Sequence, residues 1–249
     1  MMSVVDLLLM ETSDDKPQYR TAIEEVYAKL RGEILTGALK PGERLRVERL
    51  RADFGVSATT VREALSRLMS ETLVVSESQK GFRVAPLSPE DFRSISELRR
   101  ELEKMALRES LRLGDDSWEA AVVAAFHKLS KVEELTKIDP VAYAERWDIC
   151  NFDFHNALVG ACQNRWLFYF RAILQSQSSR YLRLALKNSA KERDVHAEHE
   201  AILKAALDRD ADEICRLIEI HIDRTYEFIT GAEIEIGRAS CRERVCSTV

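Results

Sequence analysis

Five histidines occur in 249 residues, and three of them fall where helical spacing can bring them together. His155 follows Asn151 by four residues in "CNFDFHNAL", which puts both side chains on one face of a helix and Asp153 on another. His199 and His221 stand 22 residues apart, and the turn-forming "LDRDAD" at Leu207–Asp212 lies about midway between them. In a helical hairpin, residues equally far from the turn face each other. Three imidazoles and one amide oxygen converging inside a helical protein are a donor set for Zn²⁺, Ni²⁺ or another borderline first-row divalent metal. His196, three residues before His199, is a candidate substitute ligand or supporting partner. His127 has no partner in the pattern and reads as structural or surface. The plain alternative is that each histidine is a hydrogen-bonded core or interface residue.

A second group could do different chemistry. Thr59, Thr60 and Arg62 occupy the first turn of the helix "ATTVREALSRLMS", with Ser57 placed as its N-cap. Threonine hydroxyls can bond phosphate or bases, a helix N-terminus favours an anion, and arginine pairs with guanine or phosphate. Lys80 and Arg83 flank Gly81, a residue that permits a tight turn close to a sugar-phosphate backbone. Against this, Arg62 could simply pair with Glu63 or Glu48 on a solvated face.

Both groups need elements to position them. Residues 1–19, with the acidic "ETSDDKPQ", read as a mobile leader. Apolar residues at 3- and 4-residue spacing from Ile23 to Leu35 predict a helix over about 21–36, closed by Gly37 and "KPGERL". A short helix "VERLRADF" stops at Gly55, the helix after Ser57 follows, and "TLVVSESQKGFRVAPLS" gives two β-type runs around Gly81. Helix, helix, turn, helix and a two-stranded wing over 20–86 is the order of a winged helix-turn-helix, whose third helix fits the major groove. From Ser88 onward the pattern is helical, with segments at 88–112, 117–136, 139–161, 164–187, 192–208 and 210–230. Six helices with short loops over 88–231 predict an antiparallel bundle, so the fold class is mainly α. Periodicity then stops, and "EIGRASCRERV" resembles translated sequencing-adapter DNA, so 235–249 are read as a non-native tail.

Composition agrees. Charged residues make up 32% and aromatics 7%, with 9 Gly and 5 Pro, which favours a helix-rich soluble protein over a β-sandwich or a disordered chain. The total charge is −5, yet Arg20–Pro86 holds 12 Lys or Arg against 9 Asp or Glu, a net +3, leaving −8 for the remainder. A basic N-terminal third on an acidic chain suits a small nucleic-acid-binding module. The apolar run "VVDLLLM" is too short to span a bilayer and lacks a basic flank. Cys150, Cys162, Cys215, Cys241 and Cys246 form no C-x-x-C pair. A reduced, cytoplasmic setting without membrane attachment is expected.

The stretch "ILTGALKPGERLRVERLRADFGVSATTVREALSRLMSETLVVSESQKGFRV" resembles the DNA-binding domain of the GntR family of bacterial transcription regulators, through "G-x-L-x-PGERL", "GVS-x-T-x-VREAL-x-RL" and "KGF-x-V". The resemblance implies DNA-contact roles for Ser57, Thr59, Thr60, Arg62 and Gly81. One departure is Ala58, where the family usually has an arginine that commonly contacts the operator. Ser88–Ile229 resembles the all-helical ligand-binding FCD domain of the FadR-like branch, through "ELRRELE", "FHNAL", Asn164, "EHEAIL" and His221. That resemblance implies a metal held by His155, His199, His221 and the residue at 151, which is aspartate in many members and asparagine here. It also implies a small carboxylate metabolite held with the metal's help. Arg99 matches the basic position that commonly faces the cavity and is assigned as the carboxylate clamp, with an i,i+4 surface pair to Glu103 as the alternative. Arg146, Arg180 and Arg183 are looser candidates.

The expected function is a ligand-responsive transcription regulator that binds a near-palindromic double-stranded DNA operator as a homodimer, the effector altering the spacing of the two winged domains. Two alternatives belong to other classes. A three-histidine site could activate water in a bundle metalloenzyme, although no Glu-x-x-His pair or general base accompanies it. A metal-dependent sensor without an organic effector is the other.

Overall fold

A computed structural model describes residues 21–77, 81–186 and 194–231. The leader, the tail and Lys80 lie outside the described residues. The first part of the chain comprises α1 (Ala22–Thr36), β1 (Arg44–Leu45), α2 (Val47–Phe54), α3 (Ala58–Ser70), β2 (Val74–Glu77) and β3 (Gly81–Val84). Six further helices follow: α4 (Pro89–Leu113), α5 (Asp116–Ile138), α6 (Pro140–Leu158), α7 (Arg165–Leu186), α8 (Val195–Leu207) and α9 (Ala211–Gly231).

Local chemistry sets the element ends. Thr21 and Glu24 form a capping box at the start of α1, each side chain accepting the other's backbone N–H. Gly37 and Gly55 close α1 and α2 with φ of 74° and 65°, a left-handed conformation that costs glycine nothing. Ser57 caps α3, its Oγ accepting from the Thr60 N–H at 3.1 Å. The wing is a three-stranded antiparallel sheet in the order β1-β3-β2, with Arg44 opposite Arg83 and Val75 also opposite Arg83. Its third strand, β1, lies within "KPGERL", which the sequence reading treats only as a helix stop. Two residues are too few for a period-2 pattern to register.

Among the described residues the chain forms two compact units. One contains the winged helix up to Ile95, and takes in the end of α7 from Ser176 and the last residues of α9 from Phe228. Its apolar core includes Val26, Leu30, Ile34, Val61, Leu65, Leu68, Leu73 and Val84. Beside that core lies a buried polar network. Arg31 pairs with Glu71 at 2.9 Å and donates to Ser176 Oγ at 3.1 Å, while the Tyr27 hydroxyl donates to the same Glu71. Gln177 donates to the Glu71 carbonyl at 2.7 Å and to Thr72 Oγ1 at 2.9 Å. The unit boundary therefore does not follow the chain order at residues 86–88, because the buried carboxylate of Glu71 recruits polar groups from far along the sequence.

The other unit holds Ser96–Gln175 and 194–227. Its core draws on one stripe of each helix, with Val122, Leu129 and Val132 from α5, Phe154 and Leu158 from α6, Ile202 from α8, and Ile214, Ile218 and Ile222 from α9. Trp118 locks α5 to the end of α6 through Nε1–H to the Ala157 carbonyl at 2.9 Å. Gly114 is required beneath it, since a Cβ there would lie 2.6 Å from the indole. α6 ends at Leu158, three residues before the sequence expectation, where the chain turns through Gly160. α8 starts at Val195 because Asp194 caps it, accepting from the Ala197 N–H at 3.1 Å.

Arg31→Met leaves the Glu71 carboxylate buried without its guanidinium, which costs about 3–5 kcal/mol. The expected result is a lower thermal midpoint by circular dichroism, partly restored in Arg31→Met/Glu71→Gln. An unchanged midpoint would show that the pair is not structurally important.

Candidate metal centre and DNA-facing surface

The hairpin of α8 and α9 brings His199 and His221 together, with ring centroids 5.0 Å apart, and α6 delivers His155 to the same place at 5.4 Å from His199 and 5.1 Å from His221. All three are buried, and one nitrogen from each lies within 4.8 Å of the others. Two carboxylates orient the rings. His199 Nδ1 meets Glu133 Oε1 of α5 at 2.8 Å, and His221 Nδ1 meets Glu198 Oε2 of α8 at 2.8 Å. An ionised carboxylate can only accept, so each Nδ1 carries the proton and each Nε2 keeps its lone pair for an electrophile. His199 Nε2 is buried and without a hydrogen-bond partner among the described residues. So is Asn151 Oδ1, one turn before His155 on α6. Orphaned buried acceptors are costly, a cation at the triad would satisfy His199 Nε2, and three neutral imidazoles are a donor set that fits a borderline divalent metal.

The supporting groups have their own electrostatics. Burial would raise the Glu133 carboxyl, but its bonds to His199 and to His196, whose Nδ1 lies at 2.6 Å, bring it below its ordinary value. His196 thus shares the carboxylate of a triad member and stands behind the triad rather than in it. His127 is exposed on α5. Burial, then the neighbouring His221, His199, Arg171 and Arg99, push His155 well below the ordinary imidazole value of 6.5. A neutral imidazole is the form a metal needs.

Arg99 lies on α4 near this cluster. It pairs with Glu103, as the sequence alternative has it, but Glu103 is buried and Arg99 half-buried rather than on the surface, and the contact is long at 3.9 Å. Arg171 holds the same carboxylate at 2.7 Å and also donates to Asn156 Oδ1 at 2.6 Å and the His155 carbonyl at 2.9 Å. Two guanidiniums, Arg99 and Arg171, face the one carboxylate of Glu103, and both stand close enough to disfavour a proton on His155. Of the looser candidates, Arg146 is exposed, and Arg180 belongs to the winged-helix unit, where it donates to the Ala85 carbonyl and to Gln177 Oε1. Sequence reasoning missed Arg171, Glu133 and the role of Glu198. Glu133 carries a signal in hindsight, a charge set directly after Leu129 and Val132 in a buried stripe.

On the winged helix, Ser57 and Thr60 bond each other through their hydroxyls at 2.9 Å, while Thr59 is exposed. Arg62 pairs with neither carboxylate offered by the sequence, because Glu63 faces Arg67 at 3.5 Å and Glu48 holds Arg51 at 2.9 Å. Arg62 is exposed. Gly81 starts β3 with φ of 87°, a left-handed conformation that favours glycine. Arg83 is half-buried and already engaged, with Glu77 at 2.9 Å and the Gly42 carbonyl at 3.0 Å.

Comparison with known proteins agrees with this two-part arrangement. Residues 22–84 match the gntR family of bacterial regulatory proteins, and residues 94–224 match the FCD domain. The chain belongs to the GntR family. It is 41% identical over 210 residues to the HTH-type transcriptional regulator BphR of Paraburkholderia xenovorans, covering 84% of this chain and 86% of that one. It is 32% identical over 200 residues to the HTH-type transcriptional repressor GlaR of Escherichia coli, covering 79% and 90%. The solved structure of E. coli McbR/YncC shares the fold, with a TM-score of 0.70 at 21% identity over 86% of this chain and 99% of that one. The protein is accordingly a DNA-binding transcription regulator with an FCD effector-binding domain, and not an enzyme. Among the described residues, no helix of this GntR regulator is long and apolar enough to cross a membrane.

His155 gives a pH test. A histidine whose folded pKa is depressed keeps its neutral form in the fold while the unfolded chain binds a proton, so stability is complete above about pH 6.5 and declines as pH falls below it, at up to about 1.4 kcal/mol per pH unit. For metal-free protein, the thermal midpoint should fall between pH 7 and 5 more steeply than in His155→Gln. Parallel profiles would show that His155 titrates normally.

Proposed function

We propose that this regulator binds a near-palindromic operator as a homodimer, as a repressor, and that its FCD domain senses a small organic acid with the help of a bound divalent metal, Zn²⁺ or Ni²⁺. The observation that carries the metal is the buried convergence of His155, His199 and His221, with the Nδ1 atoms of His199 and His221 turned to carboxylates. Those three imidazoles would hold the ion, with the Asn151 amide oxygen as a fourth, uncharged donor. When bound, the metal supplies open coordination positions for a ligand carboxylate. Arg99, beside Arg171, contributes positive charge to the same region and would clamp the carboxylate. These two guanidiniums beside the triad support an acidic organic effector over a sensor of metal alone.

At the DNA end, the exposed Thr59 and Arg62 on α3 are the side chains best placed to read bases, Ser57 and Thr60 shape and polarise the helix start, and Gly81 lets the wing approach the backbone. Lys80 is assigned to the wing contact as well. Arg83 acts more through the wing's shape than through a free charge, given its bonds to Glu77 and Gly42. The name of GlaR, a repressor, supports the sign of regulation.

Three experiments test the reading. Elemental analysis should find bound Zn²⁺ or Ni²⁺ in the purified protein, reduced in His199→Ala/His221→Ala, with Glu133→Gln weakening the affinity by about 10–100-fold. Equal metal content in all variants would contradict the site. A thermal-shift screen of metabolite acids should find stabilisation by a carboxylate that depends on metal and on Arg99, approaching about 2.7 kcal/mol at a hundredfold excess over Kd. For the DNA end, Arg62→Ala should abolish discrimination between the chain's operator fragment and scrambled duplex. Equal retardation of both by the wild type would rule out specific recognition.

A further inference from the structure

Beside α3 lies an open cleft of about 250 Å³, and three guanidiniums line it: Arg44 of β1, Arg46 at the start of α2, and Arg62 of α3, with Gly81 and Phe82 of the wing across from them. All three arginines are exposed, and none has a carboxylate partner among the described residues. The nearby acids are engaged elsewhere: Glu48 with Arg51, Glu77 with Arg83, and Glu43 with the Lys40 N–H at 3.0 Å.

Two of these arginines break local rules of stability. Arg46 is the N-cap of α2 and makes no side-chain cap, at a position where Ser, Thr, Asp or Asn would satisfy a backbone N–H and where a cation opposes the helix dipole. Arg44 stands directly opposite Arg83 in the β1–β3 ladder, where like charges are unfavourable. Sites that cost the fold something without any gain inside it are where function is expected. An anion in the cleft would remove both penalties, since it would meet three cations and the positive end of α2 at once.

We infer that Arg44 and Arg46, together with Arg62, clamp a phosphate of the DNA strand beside the recognition helix, which makes β1 and the start of α2 a third contact element besides α3 and the β2–β3 part of the wing. This rests on the DNA-binding reading above. The contact is to a phosphodiester, so it adds affinity and register on every sequence and no base preference.

The test uses full-length protein and a fluorescein-labelled mixed-sequence duplex of roughly two helical turns, with affinity followed by anisotropy between about 50 and 200 mM NaCl. For Arg44→Gln/Arg46→Gln, the slope of log affinity against log salt should become shallower by about 0.9 per arginine for each chain bound. Arg44→Lys/Arg46→Lys should keep most of the slope, and Arg112→Gln/Arg165→Gln, the same charge loss on the other unit, should keep all of it. Because Arg44 and Arg46 are exposed, the glutamine variant should retain or raise the wild-type melting temperature. A wild-type slope in the glutamine variant overturns the inference and leaves DNA binding intact. Stabilisation by inorganic phosphate that this variant loses, with its DNA slope unchanged, would assign the cleft to a free anion and also overturn it. No binding of any duplex by the wild type would overturn the DNA-binding reading itself, and the inference with it.

Discussion

Two carboxylates, the buried Glu133 and the half-buried Glu198, govern what His199 and His221 can do. A neutral imidazole exposes a lone pair on only one nitrogen, and the hydrogen bond at the other selects which. By accepting from His199 and His221 at Nδ1, these glutamates fix the proton of each ring on that nitrogen, and His199 Nε2 is left as a buried acceptor without a hydrogen-bond partner among the described residues. Without them the same three rings would be a packed aromatic cluster with arbitrary tautomers. The cost is visible at His199 Nε2 and Asn151 Oδ1, two buried acceptors with no protein donor among the described residues. A fold carries such orphans where something else satisfies them.

The same logic of unsatisfied groups appears at the winged helix with opposite charge. Around the triad, unused lone pairs ask for a cation, and around Arg44, Arg46 and Arg62, unused guanidinium donors ask for an anion. Each compact unit thus contains one place where local stability is given up in a direction that names the chemistry of its partner. The buried polar network of Tyr27, Arg31 and Glu71 differs in kind. Its donors and acceptors satisfy one another and Gln177 completes it, so it holds structure and offers nothing outward.

How much of this was legible in the sequence depended on whether the signal was periodic. The α8–α9 hairpin is readable because "LDRDAD" marks its turn and the two histidines are equidistant from it, and the resulting centroid distance is 5.0 Å. The pairing of Asn151 with His155 follows from one helical turn. Glu133 has no such relation to the histidines, since it comes from α5, and the geometry that brings α5 against α8 arises from packing alone. Arg171 escapes for the same reason, and Arg180, a candidate on charge, lies in the other unit because its guanidinium meets the Ala85 carbonyl. On the DNA side, Ser57 and the Gly55 stop are local chemistry and could be read directly. β1 could not, and with it went the environment of Arg44, whose significance depends on which strand lies opposite.

Whether three imidazole nitrogens converge to hold a metal is read most directly from X-ray absorption at the metal edge of Zn²⁺- or Ni²⁺-loaded protein. The expected first coordination sphere contains three imidazole nitrogens, with oxygen completing it and no sulfur, and its oxygen shell changes when a carboxylate ligand is added. A spectrum showing a fully hydrated ion, a thiolate ligand from one of the cysteines, or fewer than two imidazoles would contradict it.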